Sequence, residues 1–563
     1  MDRKRDGGKI MKAFFLALIA SVIAFFGTVS DSVIDAVNNY EFTVDVSETG
    51  AVLANPASNV NVWSIDGNPF VGAKINEENN IFDFVNYVQF MQCTGGNAER
   101  DLFVDPYDRT VLDDYDFTVL IENCRGVVNL GAKPFLKLGS VPLKYSSKAN
   151  TDAMFSTNIY PPDDYNVYYN YIAAIAQALV NEFGREEVLT WRFGVMTEYE
   201  NSAWFMANSE TPEDSAVEYC KLYDYTVAAL EDVIGEVFVG AHSMTVTEGL
   251  WDEALFIKHC ANGTNFKTGK TGTRICYLSA SFYDSAPGEF TDGYTLPETI
   301  DYIRRVAEKE GLTNLIYGID EGRILCGNVS GTDSDELLSR TCGYTYQAAY
   351  DARIYKQMFE NDINYFSSWY YLSNGLFEGN PTVSYHVARN AAKFGGAKLA
   401  QTKMSRFGLL LCSEVDAVSA YDEENDTLRI MAYNFKNDVD YKANADLKFR
   451  VKAPQLDGKQ VKITAYMIND DCNYFDEWIE DREKYGIGDD CFAWSPDDPL
   501  LDNPVTLSNP KAREIYKNEL YDKYTECSKL VPTEQTVTVE NGEIILEASL
   551  DPNAVVFYEI TPC

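Results

Sequence analysis

Histidine is the rarest residue of this 563-residue chain, with three copies, His242, His259 and His386. No Cys-x-x-Cys occurs either, so the usual ligand spacing of a zinc site is missing and no metal is expected. No Gly-x-Gly-x-x-Gly and no phosphate loop is present, which argues against an open doubly wound nucleotide-binding sheet and gives no support to any cofactor. Basic residues are scarce: 47 Lys and Arg stand against 86 Asp and Glu, for a net charge of −39. Such a surface repels phosphate backbones and anionic lipid, so nucleic acid is excluded as an expected partner. Long-range attraction of polyanionic substrates is also disfavoured, although a few local Arg or Lys could hold one carboxylate. The plain reading of the charge is solubility. After Val29 no apolar run is long enough to cross a bilayer.

What is present begins with an export pattern. Arg3, Lys4, Arg5, Lys9 and Lys12 precede an apolar run, Ala13–Val29, and small residues follow at Gly27, Thr28 and Ser30. Residues 1–30 read as a signal peptide of a secreted protein, with an uncleaved surface anchor as the alternative. Met11 would serve equally well as the start. All twelve cysteines follow this segment. An even count in an exported chain permits disulfides, and Cys260/Cys276, Cys326/Cys342 and Cys472/Cys491 are near enough in sequence to be candidates. Buried thiols are the competing reading. Asn262, Asn328 and Asn425 open glycosylation sequons, relevant only in a eukaryotic host.

A chain of this length needs more than one core. Residues 59–400 alternate short apolar runs with helical patterns. The strand candidates are 60–65, 87–92, 133–139, 189–196, 237–241, 275–281, 315–319 and 365–369. Between them, 168–183 carries Ile172, Ile175, Ala176 and Leu179 on one helical face, and 299–309 and about 335–360 also read as helices. Eight strands alternating with helices predict an α/β fold of the (β/α)8 TIM-barrel type. From residue 401 the period becomes two, as in 446–451 and 461–467, and Asn541-Gly542 reads as a two-residue hairpin turn between 536–539 and 543–546. Residues 401–563 are therefore expected to form an antiparallel β-sandwich, interrupted by an acidic insertion at about 469–531. Within it, 489–502 lacks calcium-loop spacing and reads as a solvated loop. Residues 31–58 are an N-terminal segment that can add a strand to the same sandwich.

Two carboxylates stand at the ends of barrel strands. Glu198 follows the fourth, in Trp-Arg-Phe-Gly-Val-Met-Thr-Glu, and Glu321 the seventh, in Leu-Ile-Tyr-Gly-Ile-Asp-Glu. An acid at the C-terminal end of a barrel strand points into the active-site mouth. Two such acids supply the proton donor and the nucleophile or base of a glycosidase. The surface-loop reading of each is open, and Glu200 and Asp320 are rivals that periodicity does not eliminate.

In this order and spacing, Tyr115-Asp-Phe117, Gly131-Ala-Lys-Pro-Phe through Pro142, the Glu198 and Glu321 runs, Trp369 and the final strands resemble glycoside hydrolase family 39. This is the retaining β-xylosidase and α-L-iduronidase family. The resemblance implies that Glu198 is the acid/base and Glu321 the nucleophile, with Arg323 close by. It also implies sugar contacts from Thr197 and Gln89, and stacking of sugar rings on Trp369, Tyr283 and Trp204, each of which could equally be core. His242, after strand five, faces the mouth or is a structural histidine. Glu248, Trp251 and Lys137 are weaker candidates.

The departures from the family pattern concern the sugar. Gln89-Phe90-Met91 stands where Arg-Phe-His is usual, Thr197 where Asn is usual, and Ser281 where His is usual. The expected function is therefore a retaining glycoside hydrolase of a neutral oligo- or polysaccharide or glycoside. Alternatives are a catalytically inactive carbohydrate-binding barrel, an α-L-iduronidase-like enzyme, or a surface adhesion protein, which leaves the two strand-end acids unexplained.

Overall fold

The structure is a computed structural model. It describes residues 38–65, 80–153, 155–244, 249–283, 295–323, 345–369, 371, 379–406, 413–436, 442–491, 507 and 509–563. The signal segment, Glu248, Cys326, Asn328, Cys342, Cys412 and most of 489–502 lie outside these residues, as does the side chain of Arg323.

Eight parallel strands close a barrel: β2 (Asn59–Ser64), β3 (Tyr87–Gln92), β4 (Lys133–Leu138), β5 (Arg192–Val195), β6 (Phe238–Ser243), β7 (Tyr277–Tyr283), β8 (Ile316–Arg323) and β9 (Tyr365–Ser368). The ring is completed by β2, which pairs with both β3 and β9. These are the eight strands expected, with shifted ends. The fourth barrel strand is the clearest case. Residues 185–188 form a helical turn, so pairing starts only at Arg192, and Met196 at φ +64° ends it. Helix Tyr165–Phe183 starts earlier than its apolar face suggests because the Asp164 carboxylate caps the amide of Asn166. Helix Leu296–Lys309 does so because Thr295 and Glu298 form a capping box. The third predicted helix is observed as Tyr346–Glu360, and 335–344 fall outside the described residues.

The barrel interior is filled by large rings facing glycines. Phe135, Tyr277 and Tyr365 pack together, and the Arg192 guanidinium lies over the rings of Tyr87, at 4.0 Å, and Tyr365, at 5.1 Å. A Cβ at Gly318 would stand 2.3 Å from the Tyr365 ring, so only glycine leaves that ring its place. Above this layer, Lys137 of β4 and Asp320 of β8 form a fully buried ion pair at 2.5 Å.

The second domain is one nine-stranded sheet folded into two layers, in the order β15-β14-β17-β12-β11-β10-β1-β13-β16. Its strands are β1 (Asn39–Val52), β10 (Lys398–Arg406), β11 (Glu414–Asp422), β12 (Thr427–Phe435), β13 (Ala445–Lys452), β14 (Gln460–Ile468), β15 (Thr533–Thr538), β16 (Glu543–Leu550) and β17 (Val555–Pro562). Phe42, Phe449 and Leu546 of one layer close on Ile430, Val461 and Val556 of the other. The pairing is antiparallel except where β1 runs parallel to β13. The outer face of the second layer, with Met431, Tyr433 and Phe557, joins the barrel core. It meets helix Tyr346–Glu360 through Tyr346 and Phe435, and meets Phe394, just after helix Val383–Ala392, through Phe557.

Two expectations are corrected. Asn541 and Gly542 both take positive φ, +56° and +66°, and Glu540 and Glu543 bridge across them as in a two-residue hairpin turn, but the strands on either side pair no further with each other. β15 pairs with β14 and β16 with β13, at opposite ends of the sheet, so the turn crosses between layers. Second, Cys260 and Cys276 are thiols, and Cys472 is a free thiol that does not join Cys491. Cys260 and Cys472 are buried in apolar surroundings, where a thiol behaves as a small hydrophobe. The insertion between β14 and β15 is a small helical body, Phe475–Tyr485, Pro510–Ile515 and Tyr521–Cys527, around Trp478, Tyr516 and Tyr524. It docks on the barrel where Asn380 donates to the Tyr521 carbonyl at 2.8 Å.

Candidate active site

The strand ends decide what reaches the mouth. At the end of β5, Met196 and Glu198 both hold left-handed backbone, at φ +64° and +42°, conformations that cost non-glycine residues about 1–3 kcal/mol. At the end of β8 the register slips: Ile319 opposes Ala280, but the next residue, Ser281, opposes Glu321. Asp320 is the extra residue of this bulge. Its two oxygens turn inward to the Lys137 ammonium at 2.5 Å and the Tyr365 hydroxyl at 2.7 Å. Glu321 is left for the mouth, and the rival Asp320 is a structural counter-ion.

Carboxylate oxygens of Glu198 and Glu321 and a ring nitrogen of His242 all lie within 4.8 Å of one another. Such a group could hold a divalent cation. Their spacing is also that of an acid facing a nucleophile across one bond.

Each carboxylate is held differently. Glu198 Oε2 accepts from the Trp204 indole at 3.0 Å and the Asn201 amide at 3.1 Å. Glu198 Oε1 accepts from the Ser281 hydroxyl at 2.6 Å, and His242 Nε2 meets that hydroxyl at 2.8 Å. Burial raises the Glu198 pKa against the three hydrogen bonds and the Lys137 charge, which pull it down. Burial, helped by Lys137, holds the His242 pKa well below its usual value, so the imidazole is neutral. Glu321 Oε1 accepts from the Tyr283 phenol, which in turn accepts from the Trp369 indole at 2.9 Å.

An aromatic wall spans both acids. Trp204 stacks on Phe155, with centroids 4.3 Å apart, and Trp63, at the end of β2, stands 5.9 Å from Trp204 and 6.0 Å from Trp369. Met91 joins Tyr283 and Trp369 in one apolar cluster.

The structure therefore gathers Glu198, Glu321, His242, Tyr283, Trp369 and Trp204. Trp204 and Tyr283, expected as stacking platforms, point their polar atoms at the carboxylates. Two predicted sugar contacts have their polar groups engaged elsewhere. Gln89 is fully buried, and its amide donates to the Asp320 carbonyl at 2.9 Å, propping the bulge. Thr197 donates to the Met91 carbonyl at 3.1 Å, tying two strand ends together. The rival Glu200 is buried beside Glu253 and accepts from the Met244 amide at 2.6 Å. Trp251 is core, against Tyr199 and Tyr219. Asn201 and Trp63 are not among the expected site residues, and Ser281 is expected only as the loss of a sugar-contacting histidine. Trp63 obeys the same strand-end rule that found the two acids, and Asn201 lies three residues beyond Glu198, in a turn closed by its amide on the Glu198 carbonyl at 2.8 Å.

A profile of glycosyl hydrolases family 39 matches residues 105–485. The chain belongs to this family. A β-xylosidase of Geobacillus stearothermophilus is 30% identical over 148 residues, 26% of this chain and 28% of that protein. Its alignment, like that of a Caldicellulosiruptor saccharolyticus β-xylosidase, spans only about a quarter of the relative's length. An α-1,4-L-rhamnosidase of Formosa agariphila is 22% identical over 405 residues, 68% of this chain and 76% of that protein. Among solved structures, a monomeric β-xylosidase of Caulobacter crescentus CB15 superposes with a TM-score of 0.60 at 15% identity, covering 93% of this chain and 99% of the other. A bacterial orthologue of human α-L-iduronidase gives 0.61 at 13% identity, covering 93% and 84%. At such identities the likeness concerns the fold, a barrel with a β-sandwich. No helix of the described residues is long and apolar enough to cross a membrane.

Proposed function

We propose that this protein is a glycosidase that cleaves a neutral glycoside with retention of configuration, Glu198 acting as acid/base and Glu321 as nucleophile. The observation that carries the reading is the approach of Glu198 and Glu321 oxygens to within 4.8 Å. Retaining enzymes hold their carboxyls about 5–5.5 Å apart, whereas inverting enzymes leave about 6.5–9.5 Å for a water. Tyr283 aims the Glu321 oxygen at the anomeric carbon, where a glycosyl–enzyme ester forms as the leaving oxygen takes the Glu198 proton. Water then breaks the ester, with Glu198 as base.

The hydrogen bonds assign that proton to one oxygen. Oε2 faces two N–H donors, with the Asn201 amide fixed by its oxygen accepting from the Ala203 amide at 2.9 Å, which supports Oε1, whose one donor is a hydroxyl that can turn, as the oxygen that carries the proton. Ser281 suits both states of Oε1. It donates to the carboxylate while His242 Nε2–H donates to it, and it accepts from the acid when the neutral imidazole carries its proton on Nδ1 and Nε2 accepts from the hydroxyl.

The sugar-contacting residues favour a substrate with an apolar edge. The Met91–Tyr283–Trp369 cluster with Trp63 offers carbon and sulfur where a xyloside pocket would offer polar groups, and the Gln89 amide is engaged within the wall. The long alignment with the α-1,4-L-rhamnosidase supports a 6-deoxyhexoside, whose methyl would lie on that cluster. The test is hydrolysis of nitrophenyl α-L-rhamnoside and β-D-xyloside, with the product anomer followed by NMR. Rhamnoside turnover with retention and a weak xyloside reaction are expected. Xyloside kcat/KM above about 10⁴ M⁻¹s⁻¹, the low end for efficient enzymes, would reject the sugar, and inversion would reject the mechanism.

A further inference from the structure

Away from the catalytic mouth, three parts of the chain enclose a cavity of about 320 Å³, at the small end of the range for ligand sites. Helix Val383–Ala392 contributes Arg389 and Asn390, with Lys393 just beyond it. β14 contributes Tyr466, and the end of the insertion Lys529 and Leu530. No aspartate or glutamate lines it among the described residues. Two of the walls are fixed to each other: the buried His386 of the helix donates from Nε2 to the Ser528 carbonyl of the insertion at 2.6 Å. The cavity shares no residue with the catalytic site.

Its charges do not cancel. Arg389 is matched by Asp83 at 3.1 Å and Lys529 by Glu526 at 2.7 Å, while Arg429, further back, is matched by Glu559 at 3.0 Å. Lys393 has no acidic partner within ion-pair distance among the described residues, and its ammonium lies over the Tyr466 ring at 4.5 Å. Burial pushes its pKa down; Glu559, which is already paired with Arg429, pulls it back up, and Arg429 and Arg389 each push it down by less than Glu559 raises it. A partly buried cation without a counter-charge is unfavourable. Here it sits in a chain of net charge −39, in which acids outnumber bases.

We propose that this cavity is a second saccharide site, for one sugar residue carrying a carboxylate. Lys393, with Arg389 beside it, meets the charge, and Tyr466 and Leu530 cover the C–H faces of the ring. One unmatched cation calls for a monoanion, which favours a uronate over a phosphate dianion. A glycan offering a neutral residue to the barrel and a uronate to this flank engages both sites, so each raises the effective concentration at the other. The choice of a sugar rests on the glycosidase reading above; the anion site does not. The overall negative field opposes a free polyanion, so binding weakens as competing salt rises only through this local contact.

The experiment is calorimetric titration of the intact enzyme with tri-galacturonate, with its carboxyl-reduced neutral counterpart and with acetate, at low ionic strength. The uronate should bind, and Lys393→Gln should weaken it at least tenfold, while Lys393→Arg retains binding and serves as the control for folding. Aryl-glycoside hydrolysis should be unchanged in both variants. Equal binding of the neutral trisaccharide, or no effect of Lys393→Gln, would overturn the proposal. Acetate matching the uronate would reduce the cavity to an anion site and overturn the sugar assignment. Failure of every aryl glycoside as a substrate would remove the proposed function and leave the titration result standing.

Discussion

At the scale of single residues, the two carboxylates proposed as catalytic differ in what faces them, and this yields three expectations. Removing the Ser281 hydroxyl takes away a hydrogen bond that favours the ionised form of Glu198. Ser281→Ala should therefore move the alkaline limb of the kcat/KM profile to higher pH, because Glu198 keeps its proton longer. It should also lower kcat by about 10–100-fold, less than the roughly 10²–10⁴-fold attributed to the acid–base group itself. An unchanged profile would show that Ser281 is a bystander. The rival acids separate by leaving group: Glu198→Ala should spare activated aryl glycosides and be partly rescued by azide, whereas Glu200→Ala should show neither behaviour. Stability, too, should depend on pH. Burial pushes Asp101 and Glu253 up to about 7. Between the unfolded values near 4 and pH 7 the folded state holds protons that the unfolded chain has released, so stability falls as pH rises through that window. The Tm should be higher at pH 5 than at pH 8, and Glu253→Gln should shrink the difference. The two acids were legible in the sequence because a strand end is a position that a short apolar run marks. Their partners were less so: Asn201 acts from a loop, and Ser281 looked like a loss when compared with a histidine.

Elements carry the next level. The bulge in β8 works only if Asp320 is drawn inward, and that depends on Lys137 and Tyr365. Lys137→Met leaves a buried carboxylate without its counter-ion, at a cost of about 3–5 kcal/mol, measurable by denaturant unfolding, with a parallel loss of activity as Glu321 shifts. Adding Asp320→Asn should recover much of the stability and little of the activity. Gly318→Ala would drive a methyl to 2.3 Å from the Tyr365 ring. It should cost about 1–3 kcal/mol by overpacking and disturb the same bulge; neutrality would mean that the ring moves freely. The strands were readable because buried parallel strands are continuous apolar runs. Two consecutive acids, Asp320 and Glu321, gave no sign of which would face inward, since a bulge has no periodicity of its own. Asn541-Gly542 is the two-residue turn expected, bridged by Glu540 and Glu543, but the strands it joins pair with other partners. Turn chemistry sets the backbone angles, but which strands then pair is settled by the layers they enter.

For the whole molecule, the barrel and the sheet domain share one apolar interface through Tyr346, Phe394, Phe435 and Phe557. The chain also passes through the sheet before it builds the barrel. Calorimetry should therefore show one cooperative unfolding transition; two well-separated transitions would mean that the domains are energetically independent. Export and secretion, expected from residues 1–30, are proposals that N-terminal sequencing of the mature protein would test.

The place of β1 in the sheet also bears on how the protein is made. Phe42 lies between Met404 and Phe449, residues that follow the entire barrel in sequence. A ribosome adding about 5–20 residues per second releases those partners only after roughly 20–80 s. Through that interval the nascent chain carries Tyr40, Phe42, Val44 and Val46 with nothing to cover them. The native sheet is thus a late product of synthesis, and a ribosome that stalls within the barrel leaves an open, apolar strand edge at the front of the chain.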